Sequence, residues 1–210
     1  MTTAEKSHGM LFNADMIRAL LNTQVDAWPT KAADDGKPFK FQTRRIVKMI
    51  DASRYDLGSF NGNRAVFNLR PGEKVKTGRG PTVRLWMPSF GVNCPHPIDA
   101  LIYAKETFAH IPAMGTIYRA DKPYGSAPSR HWEHGWKSSI VMPRSAARIW
   151  LRVMNVRVER VNSITDADAM AEGAFGAMEY SILWEAINGK GSWLKNPWVW
   201  VYDLSRITKP

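Results

Sequence analysis

The chain reads as an α+β domain built on a small, strongly curved or closed sheet with helices at its rim, and three observations predict it. Residues 148–161, RIWLRVMNVRVERV, alternate like a strand: Ile149, Leu151 and Val153 point one way, the phase slips at Met154 and Asn155, then Val156 and Val158 resume. One extra residue at such a slip is what a β-bulge inserts where a sheet curls. The order of patterns is an early helix, several strands, two helices and a last strand, without the alternation of parallel βαβ units. Finally, 210 residues with 44% apolar and 23% charged side chains suffice for one packed core. We therefore expect a single domain over 1–210, elaborated by insertions at about 22–38 and 61–97.

The elements follow in chain order. Residues 1–9 are polar and predict no regular structure. In LFNADMIRALL, Asn13 is placed to cap a helix whose Met16, Ile17, Leu20 and Leu21 share a face. Residues 22–38 carry Pro29, Asp34, Asp35, Gly36 and Pro38 and read as a loop. KFQTRRIVKMI (40–50) has a polar front half and an apolar back half, so a cleft wall continues into a structural strand. RAVFNL and TVRLWM predict a hairpin across RPGEKVKTGRGP, and six basic residues against one acidic from 64 to 84 make it a positive flap. DALIYAKETF predicts a buried strand running into a turn, GTIYRAD a short strand, and residues 121–139 a loop. ITDADAMAEG predicts a two-turn helix, with Thr165 and Asp168 at capping-box spacing and Gly173 beyond its end. GAMEYSILWEAING is a longer helix, and WVWVYDLSRI a last strand with Trp198, Trp200 and Tyr202 on one face and Val199 and Val201 on the other.

Charge narrows the function. Lys and Arg total 29 against 19 Asp and Glu, and this +10 surface attracts polyanions, nucleic acid above all. Nine tryptophans supply rings that stack on bases or fill cores. Cys94 is the single cysteine, which excludes an internal disulfide; no apolar leader opens the chain and no stretch has membrane-spanning length, so a cytoplasmic protein without a membrane partner is expected. No phosphate-binding glycine loop, nucleophile elbow or metalloprotease helix is present. His131 and His134 in HWEH lack a third ligand at recognised spacing, so neither metal nor cofactor is expected.

KFQTRR (40–45), LIYAKETF, WKSSIVMPRSAARI, ITDADAMAEG and the closing NPWVWVYDL, in that order, resemble the ASCH domain family as it occurs in phage and prophage proteins. The resemblance spans roughly residues 11–207. Phe41, Val141 and Ser145 depart from the family's usual residues, and the two insertions make this chain about twice the size of compact members. The resemblance implies a PUA-like fold, a small curved mixed or antiparallel β-barrel with flanking helices, and a cleft for RNA or a modified nucleoside. A few compact relatives are amidohydrolases that release the acyl group of N4-acetylcytidine; carried over, their lysine, threonine and glutamate are Lys40, Thr43 and Glu172. The alternative is a binding module for RNA or DNA without catalysis.

Amide hydrolysis needs a nucleophile, a base and a site for the oxyanion. Thr43 either attacks or orients a water, and Lys40 serves as base if burial or the nearby Arg44, Arg45 and Lys48 lower its pKa. Residues three apart in a strand face opposite ways, so convergence of Lys40 and Thr43 predicts irregular backbone at Phe41 and Gln42. Glu172 relays a proton or anchors Lys40. At a helix C-terminus its carboxylate is misplaced by roughly 0.3–1 kcal/mol, which predicts a cation beside it. Arg44, Arg45, Trp136, Lys137 and Arg144 are the candidates for holding phosphate or base, by guanidinium forks and indole stacking.

Overall fold

The computed structural model describes residues 7–23, 40–48, 54–71, 89–111, 115–122 and 135–210. In chain order these form β1 (Ser7–Leu11), α1 (Ala14–Leu21), β2 (Gln42–Ile46), β3 (Tyr55–Phe60), β4 (Arg64–Leu69), β5 (Ser89–Asn93), β6 (Leu101–Lys105), β7 (Phe108–Ile111), β8 (Gly115–Tyr118), β9 (Trp150–Arg160), α2 (Asp166–Ala171), α3 (Ala177–Asn188) and β10 (Trp198–Ile207). The α+β class holds. Among the described residues the sheets are open: five strands in the order β1-β6-β9-β10-β2, three in the order β3-β4-β5, and the β7-β8 pair.

The long β9–β10 pair is the spine. Asp203 lies opposite Asn155 and Leu204 opposite Val153, so Met154 is the unpaired residue of a bulge at the predicted slip. Both faces of β10 are covered, as its sequence of apolar residues on both sides requires. Trp200, Tyr202 and Leu204 face a large cluster with Met16, Ile17 and Leu20 of α1 and Ala65 and Phe67 of β4. Val199 and Val201 face a second cluster with Ala169 of α2 and Tyr180 and Trp184 of α3.

The caps behave as the sequence predicts. Asn13 Oδ1 accepts from Met16 N at 2.8 Å, and Thr165 Oγ1 accepts from Asp168 N at 3.1 Å. Gly173 follows the αR residue Glu172 with φ +91°, a left-handed position that suits glycine.

Three expectations are corrected. Residues 7–9, read as unstructured, belong to β1, which pairs in parallel with β6; a short edge strand held by its neighbour carries no alternation of its own. β4 (RAVFNL), expected to form a hairpin with TVRLWM, has β3 and β5 as its partners on either side, segments in which the sequence reading placed no element. Residues 135–139, read as loop, include a bridge from Lys137 to Phe108 that continues the β7 edge. TVRLWM, most of the basic flap and HWEH lie outside the described residues, and among the described helices none is long and apolar enough to cross a membrane.

Candidate functional site

β2 is an edge strand whose polar residues are buried because each face meets a different partner. Directly paired residues share a face of the sheet. Gln42 and Arg44 lie across from Asp203 and Val201, on the side covered by α2 and α3; Thr43 and Arg45 lie across from Tyr202 and Trp200, on the side of the main core.

Lys40 stands just before the strand, where the chain is tied to two helices. Its N–H bonds Ala19 O at 3.2 Å, and Phe41 N–H bonds Ala171 O at 3.0 Å, while Leu204 N–H donates to Phe41 O at 2.6 Å. The expected irregularity is thus real at Phe41, but it ends there, since Gln42 is already in register with Asp203. This path carries the Lys40 side chain under the end of α2. Its Nζ, fully buried, donates to Glu172 Oε2 at 2.6 Å and to the Glu172 carbonyl at 2.9 Å. The cation expected beside the C-terminal carboxylate is therefore Lys40, which also satisfies a terminal helix carbonyl.

Glu172 has a second cation. Arg44 Nη1 lies 3.3 Å from Oε1, and the same guanidinium reaches Asp168 at 3.3 Å and Glu159 at 3.5 Å. Around it Gln42 donates to Asp168 at 3.1 Å and Asp203 at 2.7 Å, and Arg157 pairs with Glu159, Asp168 and Asp203 at 2.5, 2.8 and 3.1 Å. Burial pushes the Lys40 pKa below 10.5; Glu172 pulls it back, and Arg45 and Arg44 add to the lowering. Burial works to raise Asp168, but Gln42, Arg44 and Arg157 outweigh it and hold that carboxyl below its ordinary value.

A cleft of about 290 Å³ opens between α1, β2 and α3, lined among others by Thr43, Arg45, Lys48, Glu172, Tyr180 and Trp184. It adjoins a more apolar cleft of about 430 Å³, with which it shares Met16, Glu172 and Leu183. Thr43 is buried, and among the described residues its Oγ1 finds no hydrogen-bond partner. Of the three expected catalytic residues, Lys40 and Glu172 are in contact. Thr43 shares the cleft with Glu172 but bonds neither. Lys40 itself is not on the cleft wall; only Glu172 connects it to that space.

The expected binding residues divide. Arg44 is drawn inside and faces three carboxylates instead of a phosphate. Arg45, half-buried, lines the cleft, donates to Leu11 O at 2.5 Å and lies 5.2 Å from the Phe12 ring centre. Trp136, Lys137 and Arg144 sit elsewhere. Lys137 lines a separate cleft of about 540 Å³ beside β7 and β8, Trp136 lies 5.8 Å from the Arg119 guanidinium, and Arg144 lies 5.1 Å over Trp150. Trp150 pairs with Ile207 and Thr43 with Tyr202, so roughly 17 Å of strand separates the two groups.

Gln42, Glu159, Asp168 and Asp203, with Arg157, complete the network and were not named as site residues from sequence, where Asp168 was read only as part of a helix cap and Gln42 only as a point of irregular backbone. One signal was available: Asp203 interrupts the apolar run from Trp198 to Leu204, and an acid there demands cations on the facing helix or strands.

On the other face, His96 packs edge-on against Tyr202 with ring centres 5.6 Å apart, and against His8 at 5.4 Å. Burial, then His8 and Arg45, lower its pKa from 6.5 to about 4. Between those values the unfolded chain binds the proton and the folded one does not, so stability is lost as pH falls from 6.5 toward 4. Allowing for partial exposure, the loss is on the order of 1–2 kcal/mol. Urea titrations at pH 7.0 and 4.5 of the wild type and His96→Phe check it: the variant is expected to lose less. Equal losses would remove His96 as the cause.

No family model matches the chain, and comparison with curated proteins and with solved structures returns no match.

Proposed function

We propose that the chain is a cytoplasmic ASCH-type protein of phage kind that binds a modified nucleoside in the cleft between α1, β2 and α3 and hydrolyses its N4-acyl amide. The finer architecture belongs to the same proposal: a small PUA-like barrel, supported by the bulged β9–β10 spine with α2 and α3 on one face and α1 and a second sheet on the other. The observation that carries the reading is a cleft wall shared by the unpartnered Thr43 hydroxyl and Glu172, with Lys40 buried behind Glu172 and bonded to it. The volume of about 290 Å³ lies just under the usual range for ligand pockets, roughly 300–1,000 Å³, and suits a single nucleoside rather than a strand.

In this reading Thr43 Oγ1 holds a water, and Glu172 takes its proton and passes it to Lys40 Nζ, whose burial favours the neutral, accepting amine. Hydroxide adds to the acyl carbonyl while Arg45 faces the developing oxyanion. The proton returns to N4 as the C–N bond breaks, leaving a carboxylic acid and the free amino base. Trp184 stacks on the ring.

A second reading has its own observation: Lys40 Nζ is bonded twice to Glu172 and reaches no solvent, as befits a strut in a binding module for RNA or DNA. Release of acetate from N4-acetylcytidine, read alongside tryptophan fluorescence, separates the two. Turnover supports the hydrolase. A saturating fluorescence change without acetate supports the module, and neither signal sinks both.

A further inference from the structure

β2 is the last strand of its sheet, and the ladder to β10 uses only every second residue of it. Leu204 N–H donates to Phe41 O at 2.6 Å and Val47 N–H donates to Trp198 O at 2.9 Å, so with the constant register between them Phe41, Thr43, Arg45 and Val47 are the bonded positions. Gln42, Arg44 and Ile46 alternate with them, and their main-chain N–H and C=O groups point away from β10, along the free edge. The consecutive residues Thr43, Arg44, Arg45 and Ile46 all line the cleft of about 290 Å³. Side chains alternate between faces, so an unbroken run of lining residues means that the edge itself is the cleft wall. Arg44 is 3% exposed, and among the described residues its main-chain N–H and C=O have no partner. Buried main-chain groups are otherwise almost always paired. Thr43 Oγ1, Arg44 Nε and Trp184 Nε1, buried side-chain groups of residues that line the same cleft, are also unpartnered among the described residues. Together these groups call for a ligand that carries both acceptors and a donor.

We infer that Arg44 reads the base through its main chain: its N–H donates to ring N3 of a cytosine-type base, and its C=O accepts from N4–H, so that the base extends the sheet by one rung. In an extended residue the N–H and C=O point the same way, and they match a base edge on which an acceptor sits beside a donor. N3 and N4–H of cytosine are such a pair, and acylation of N4 leaves one N4–H in place. A base held in the plane of the sheet turns its flat faces to α1 and α3, which bring Met16 and Trp184 to the cleft. Those are the positions from which a side chain can cover a ring. An extended peptide would pair with the same edge, but about 290 Å³ between two helices has room for a ring and its sugar, not for a strand. The inference rests on the reading that the cleft holds a nucleoside, and it is indifferent to whether the amide is cut.

Amide hydrogen exchange of the full chain, followed by NMR with and without cytidine, tests it. In the free protein the Arg44 N–H is expected to exchange faster than the ladder-bonded N–H groups of Thr43 and Arg45, and saturating cytidine slows it by about tenfold or more relative to both. Fluorescence titrations read the same two bonds from the ligand side. The pyrimidin-2-one riboside, which has no 4-amino group, and 3-deazacytidine, which has no ring N3, are each expected to bind about tenfold or more weaker than cytidine, because each leaves one buried main-chain group unpaired. Cytidine binding that leaves Arg44 exchange unmoved relative to Thr43 and Arg45, or an analogue that binds as tightly as cytidine, overturns the inference while the nucleoside reading stands. Failure of both cytidine and N4-acetylcytidine to change fluorescence or exchange at millimolar concentration sinks that reading, and this inference with it.

Discussion

Replacing Lys40 by methionine is expected to lower the free energy of unfolding by about 3–5 kcal/mol, the cost of taking from a buried carboxylate its closer cation and leaving it only Arg44 at 3.3 Å. The side chains of Lys40 and Glu172 are 0% and 1% exposed, so neither recovers hydration when the other is removed. Methionine also leaves the Glu172 carbonyl without its 2.9 Å bond. The companion variant Lys40→Met/Glu172→Leu removes both charges and is expected to regain most of the loss, because an apolar pair of similar volume needs no compensation. Arg44 then faces two carboxylates instead of three, which keeps the recovery incomplete. Urea unfolding of wild type, single and double variants makes the measurement. A Lys40→Met protein within about 1 kcal/mol of wild type would show that the pair is not buried in solution. The pH dependence has a definite sign. Because the folded pKa of Lys40 lies below 10.5, the unfolded chain holds the proton to higher pH, and stability contributed by this group rises with pH from the folded value up to about 10.5. Lys40→Met is expected to lack that rise.

Thr43→Val has the opposite stability signature and a larger functional one. The substitution keeps the shape and removes a buried hydroxyl that bonds nothing among the described residues, so folding stability is expected to stay level or increase by up to about 1–3 kcal/mol. If the hydroxyl orients the attacking water, acetate release falls by about 10²–10⁴. Gained stability with lost turnover is the behaviour of a group retained for function. A variant that is as active as wild type ends the catalytic role of Thr43. A variant that is markedly destabilised instead shows that the hydroxyl has a structural partner.

Much of the fold was legible because it depends on neighbours in sequence. The bulge at Met154 is visible as a phase slip, since a strand's faces alternate every residue and one insertion inverts them. Asn13, Thr165 and Gly173 announce helix ends because orphan N–H groups and a left-handed turn make local demands. By contrast, β1 and β5 have no alternation to read and exist only because β6 and β4 offer them a ladder. The candidate site is the same contrast in miniature. The polar front half of KFQTRRIVKMI marks a wall of a cleft, and the carboxylate ending ITDADAMAE requires a cation.

What the sequence by itself determined is where the chain must bend, cap and alternate, and that Glu172 needs a positive partner. Which partner it takes, 132 residues away, was decided by the tertiary structure: the backbone leaves the β2 ladder at Phe41 to bond Ala171, and that turn swings Lys40 inward. Arg44 was moved by the same logic from a surface fork to a buried hub, because Glu159 on β9, Asp168 on α2 and Glu172 at its end converge on it only once the helices lie across the sheet. Coulomb attraction between groups far apart in sequence acts only after packing has brought them close and excluded water, and no periodicity in the chain encodes that encounter.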